Sequence, residues 1–170
     1  LAKIKIPYLD HWINFLKGNV ESFLFPKEKF DFILLDCPPN LGLITVNAYV
    51  AANSIYTPLE AQLYSTEGLT KVIDMIKKIN LRLNPELKLG GIFFTRFDRR
   101  KILRRETQEA IKEEYQALLL NTTIRESIAL GEAPHLGKDI FSYAKNSAGA
   151  ADYGDLVKEI LERELISINT

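Results

Sequence analysis

Apolar positions along the chain recur with two different periods. Leu9, Trp12, Ile13, Leu16, Val20, Phe23 and Leu24 follow helical spacing and predict a helix over 9–25. Ahead of it, Lys3 to Ile6 alternates like a half-exposed strand that Pro7 ends. From Phe30 to Leu35 the pattern becomes a nearly unbroken run of β-favouring residues. Such a run predicts a strand buried on both faces, as parallel sheets use. Asp36 closes the run, and Pro38 and Pro39 stop the strand because neither donates to a ladder. Gly42 then permits close backbone approach or an unusual dihedral angle.

Beyond this loop the two periods alternate. A short helix is expected over Leu43–Ala52, a buried strand over Ser54–Leu59, and a helix from about Ser65 to Leu83. Ser65 or Thr66 can cap that helix, Glu67 sits in its first turn, and Leu69, Val72, Ile73, Ile76 and Ile79 form its stripe. Asn84-Pro85 breaks it. A strand over Leu89–Thr95, a helix over Ile102–Leu120, a strand over Leu118–Ile124 and a final helix from about Gly149 to Leu165 complete the pattern. Strands alternating with helices predict an α/β fold: a mostly parallel twisted sheet with helices on both faces. In such sheets ligands bind beyond the carboxyl ends of the strands, where Asp36 is expected.

A length of 170 residues suits one domain with a real core. The 22 basic and 22 acidic residues cancel, so net charge selects no partner. The lone cysteine, Cys37, rules out an internal disulfide framework, suits a reducing cytoplasm and reads as a small packing residue. His135 has no partner at metal-ligand spacing, and no Gly-x-Ser-x-Gly elbow is present. Charge is uneven locally, because Arg96, Arg99, Arg100, Lys101, Arg104 and Arg105 crowd one segment. Such a cluster either pairs with Glu106, Glu109, Glu113 and Glu114 or faces phosphates.

The segment Asp31-Phe32-Ile33-Leu34-Leu35-Asp36-Cys37-Pro38-Pro39-Asn40-Leu41-Gly42 resembles a Walker B strand running into a switch loop, in the form typical of ParA/Soj partitioning ATPases. Further stretches resemble that family in the same order: Pro58 to Leu69, Thr95-Arg96-Phe97-Asp98-Arg99-Arg100, Ile128 to Ile140, and Phe141 to Ala150. The sequence departs from the pattern in four places. Glu60 and Gln62 are exchanged, Arg96 replaces Met, Arg125 replaces Pro near the base pocket, and Ala129 replaces an Arg.

The resemblance implies a P-loop NTPase-like, three-layer fold, with residues 1–170 as one domain truncated at its N-terminal side. It implies ATP and Mg²⁺ as cofactors, with Asp36 holding the ion through water as the catalytic acid. Pro38, Pro39 and Gly42 would form the switch, and Thr95 and Asp98 would lie beside the base. Arg99, Arg100, Lys101, Arg104 and Arg105 would face DNA, and Arg125 could restore charge near the base. The implied partners are nonspecific DNA, a ParB-like centromere-binding protein and a second copy in an ATP-bound homodimer. The implied location is the cytoplasm, at the nucleoid.

No Gly-x-x-x-x-Gly-Lys-Ser/Thr occurs in the chain, so the chain alone is expected to be inactive, as an N-terminally truncated ATPase would be. Two other readings compete. A MinD-like membrane-positioning ATPase calls for a basic amphipathic C-terminal helix, and residues 153–168 are net acidic. The third is a non-catalytic interaction domain that keeps only the fold.

Overall fold

The computed structural model describes residues 31–38, 40–60, 65–97, 109 and 111–168. The expected elements over Lys3–Ile6 and 9–25, and the first part of the helix expected from Ile102, lie outside these. The described elements are α1 (Leu43–Ala51), β1 (Ser54–Glu60), α2 (Ser65–Arg82), β2 (Lys88–Phe97), β3 (Leu119–Arg125), α3 (Ile128–His135), α4 (Ile140–Tyr143) and α5 (Ala148–Ile168). The strands form a sheet in the order β1-β2-β3, and β2 pairs with β3 in parallel. This is the expected α/β class.

One expectation fails. Residues 32–38 form no strand, and Leu34 is 93% exposed. A run buried on both faces becomes a strand only when ladders form along its edges and helices cover it. No described strand pairs with this segment. Among the described residues its apolar pattern is therefore present without the neighbours that would make it a central strand.

The chain divides into two compact units, 1–55 with 71–89 and 56–70 with 90–170. In the first unit, Tyr49 and Val50 of α1, Ile55 of β1, Ile76 and Ile79 of α2, and Leu87 form one core. Ile76 and Ile79 belong to the stripe read from helical spacing. Pro85 cannot continue α2, and the chain closes its end with Leu83 and Asn84 amides donating to the Ile79 carbonyl at 2.8 and 3.0 Å.

In the second unit, Leu120 and Ile124 of β3 pack with Leu156 of α5, flanked by Tyr56, Phe93, Leu130 and Ile160. Gly91 is required here by space. A Cβ on it would lie 2.1 Å from Leu120 Cδ1 and 3.1 Å from the Tyr56 ring. The helix expected to reach Leu120 ends instead at residue 115, followed by a turn at 116–118. Leu119 and Leu120 go to β3, where ladder bonds and burial outweigh helix propensity. Gly137, at φ +63, closes the end of α3 in the left-handed conformation that favours glycine. Ser147 opens α5, its Oγ accepting the Ala150 amide at 3.1 Å.

Candidate functional site

The residues expected to carry chemistry divide between the two units. In the first, Asp36 is exposed and Cys37 half-buried, followed by an exposed Pro38. Pro39 lies outside the described residues. Thr45 Oγ1 ties the loop to α1 by donating to the Asn40 carbonyl at 2.7 Å. Gly42 stands at the N-cap of α1 with φ −82, so no unusual dihedral angle is required there. What glycine provides is room, since a Cβ would lie 3.3 Å from Asn40 Oδ1. No side chain caps α1. Its first amides follow directly on a loop that starts with an exposed carboxylate.

Burial, and secondarily the Asp36 charge, push the Cys37 thiol pKa up.

In the second unit the carboxyl ends of the strands carry charge. β1 ends at Glu60, β2 one residue past Arg96, and β3 at Arg125. Arg96 Nη1 donates to Glu60 Oε1 at 3.1 Å. Thr95, expected beside a base, is half-buried just before it. Arg96 has φ +48, making it a non-glycine residue in the left-handed region. That conformation costs about 1–2 kcal/mol. The ion pair joins side chains 66% and 38% exposed, and such a pair contributes only ~0.2–1 kcal/mol.

Arg125 departs from its expected role. Its Nε and Nη2 grip both Asp152 carboxylate oxygens at 2.6–3.1 Å, and its own amide donates to Asp152 Oδ2 at 3.0 Å. Its charge is consumed by Asp152 and is not available to restore charge near a base. Burial raises the Asp152 pKa, but the Arg125 hydrogen bonds and charge outweigh it and leave a net lowering.

Further polar ties of α5 went unseen in the sequence. Glu159 accepts the backbone amides of Asn121 and Thr122 at 2.7 and 2.8 Å. Arg163 donates to the Leu119 carbonyl at 2.7 Å, and Glu164 accepts from the Tyr56 hydroxyl at 2.7 Å. The Tyr56 pKa is raised, first by burial and then by the Glu164 hydrogen bond. Taken as surface charge, residues 153–168 look like a net-acidic solvent face. In the structure several of these charges anchor the helix.

Asp98, Arg99, Arg100, Lys101, Arg104 and Arg105 lie outside the described residues. Among the described residues no cluster of three or more His, Cys, Asp or Glu could hold a metal by itself. No described helix is long and apolar enough to cross a membrane.

Residues 16–89 match the family described as "AAA domain". The chromosome-partitioning ATPase Soj of Treponema pallidum is 40% identical over 138 residues, covering 81% of this chain and 54% of that protein. Cobyrinic acid a,c-diamide synthase from Mycobacterium smegmatis, solved with a bound ATP analog and magnesium, is 30% identical. It superposes with a TM-score of 0.52 over 58% of this chain and 40% of its own. A plasmid partition protein from Borrelia burgdorferi shares the fold, with a TM-score of 0.55 and 22% identity over 98% of this chain and 57% of its own. The chain thus spans about half the length of the curated relatives it matches. Over that span its sequence matches those of chromosome-partitioning proteins named Soj and ParA.

Proposed function

We propose that this chain is part of a partitioning ATPase that binds ATP with Mg²⁺, dimerises in the ATP-bound state and binds DNA nonspecifically to segregate chromosome or plasmid DNA. The observation that carries this is the 40% identity, over 81% of the chain, to a protein named as a chromosome-partitioning ATPase. A ParB-like centromere-binding protein is the expected stimulating partner, and the nucleoid in the cytoplasm is the expected location.

Asp36 fits the proposed ion. Mg²⁺ keeps most of its waters and takes one or two carboxylates together with substrate phosphates. A single exposed carboxylate suits that mode. When bound, the ion would neutralise charge developing on the phosphates. Asp36 would orient its water shell, and Pro38 to Gly42, with Pro39 between them, would respond to the γ-phosphate through their link to α1. Thr95 and Asp98 would lie on the base side. Arg99, Arg100, Lys101, Arg104 and Arg105 would meet DNA phosphates.

The amides and lysine of a glycine-rich phosphate loop are absent from this sequence, so the 170-residue chain by itself is expected to show no Mg²⁺-dependent ATP turnover. The deciding experiment is Asp36→Ala in the full-length protein. Hydrolysis should disappear while the melting temperature stays unchanged, because the exposed Asp36 supports no packing. An unfolded variant makes Asp36 a structural turn residue, and undiminished hydrolysis removes it from the reaction.

A further inference from the structure

We propose that Thr45 is a positioning residue that couples the loop after Asp36 to α1, so that nucleotide engaging the loop is felt in the first turn of the helix. The inference deepens the nucleotide-binding reading above and rests on it. All the residues concerned lie in the first compact unit.

The geometry singles out one hydroxyl. Between Pro38 and Ile44 no described residue is buried, and Leu43 and Ile44 are 83% and 67% exposed. Thr45 follows them at 3% exposure. From that buried position its Oγ1 reaches back over the helix start and donates to the Asn40 carbonyl at 2.7 Å. Asn40 meets the helix start a second time, because a Cβ on Gly42 would lie 3.3 Å from its Oδ1.

Packing does not call for this hydroxyl. Burial alone favours Val over Thr at such a position. What Thr adds is a donor to a carbonyl on an exposed residue, which water could otherwise serve. The bond therefore contributes placement of the loop more than stability. It also leads into the helix backbone, since the Val46 amide, next to Thr45, donates to the Gly42 carbonyl at 3.0 Å. A ligand shifts an element only through contacts that differ between two states. The bond from Thr45 to Asn40 is such a contact, made or broken as the loop moves.

The test uses the full-length protein and reads amide hydrogen exchange over residues 41–46, with and without ATP and Mg²⁺, beside steady-state hydrolysis. Thr45→Ser and Thr45→Ala both lose the methyl and differ only in the hydroxyl, so a packing defect common to both cancels in their comparison. Without nucleotide, exchange should be about fivefold faster in Thr45→Ala than in Thr45→Ser, the scale of one hydrogen bond. With ATP and Mg²⁺, exchange should slow in Thr45→Ser as in the parent, and not in Thr45→Ala. The kcat should be about fivefold lower in Thr45→Ala than in Thr45→Ser, with KM for ATP within about twofold. Thr45→Val, which keeps the shape without the hydroxyl, should behave as Thr45→Ala. Equal exchange or equal kcat in the Ser and Ala variants overturns the proposal while nucleotide binding stands, as does a nucleotide response that survives in Thr45→Ala. A parent with neither hydrolysis nor a nucleotide response overturns both readings.

Discussion

Asn84 has two amide hydrogens and three carbonyls to serve. It is fully buried, and its Nδ2 donates to Tyr49, Val50 and Ala52 carbonyls at 3.2, 3.0 and 2.7 Å. These are the last carbonyls of α1 and its cap, which helix geometry leaves without intrahelical donors. The amide orientation follows from this, since the reverse would set Oδ1 against three acceptors. Asn84→Ala should cost about 3 kcal/mol, from carbonyls left buried without donors. Chemical denaturation would check it, and a change below about 1 kcal/mol would mean that water reaches the end of α1. Nothing in the pattern of apolar residues marks Asn84. It reads there as half of an Asn-Pro helix stop, and its second task needs α1 to be brought against it.

Gly91 is the other residue whose role is spatial. Gly91→Ala should destabilise by about 2 kcal/mol, because the added methyl meets Leu120 at 2.1 Å and the Tyr56 ring behind it. Gly131, with nothing within 4 Å of an added Cβ, serves as the control. Its replacement by Ala in the middle of α3 should be neutral or slightly stabilising by helix propensity.

At the scale of elements, α5 is held by ionic ties as well as by Leu156. Burial raises the Glu159 pKa, but the Asn121 and Thr122 hydrogen bonds and the Arg163 charge more than offset it, so the group titrates below its ordinary value. Asp152 is shifted in the same direction. For a carboxylate whose folded pKa is depressed, the stability it contributes is complete at neutral pH. That contribution fades as pH falls through the ordinary carboxylate range towards the folded pKa. The melting temperature should therefore fall on acidification through that window. Glu159→Gln, which removes the charge from two amide hydrogen bonds, should cost about 1–2 kcal/mol at pH 7 and flatten the acid slope. An unchanged slope in Glu159→Gln combined with Asp152→Asn would place the acid sensitivity elsewhere. The existence of α5 is legible in its 3.6-residue period. Which of its charges face inward is not, because amphipathicity scores every charge as solvent-facing and cannot see strand amides awaiting an acceptor.

For the whole molecule, two features bear on association. The segment 32–38 runs without ladder partners among the described strands and exposes Leu34 at 93% and Leu35 at 42%. Exposed apolar residues on an unpaired extended segment favour intermolecular pairing. The 170-residue chain should self-associate with rising concentration, and Leu34→Lys should reduce this without lowering the melting temperature. Sedimentation velocity would read the difference, and a parent that remains monomeric at high concentration would contradict it.

The second feature is the basic cluster. If Arg99, Arg100, Lys101, Arg104 and Arg105 place about three charges per subunit on phosphates, a dimer releases roughly six counterions. Log affinity should then fall with log salt at a slope of about −5, a drop of about a thousandfold between roughly 50 and 200 mM. Arg100→Ala should weaken binding on all sequences alike, with ATP binding unchanged, and make the slope shallower by about one for each phosphate it no longer neutralises. A slope that does not move would return the cluster to the solvated surface.

The order α1, β1, α2, β2, β3 and α5, the resemblance to ParA/Soj proteins and the acid that closes the apolar run were legible in the sequence, whereas the short helices α3 and α4 were not. Those properties follow from periodicity and short motifs, which are local. Ile76 and Ile79 were recognisable as core, and Asp36 as an acid closing an apolar run, for that reason. The tertiary structure decided what each charged group faces. Arg125 is bound by Asp152, 27 residues away, and Arg96 meets Glu60, 36 residues away. It also decided that residues 32–38 remain outside the described sheet. Apolar pattern states only a capacity for burial, and ladder bonds need a neighbouring strand before that capacity becomes a strand.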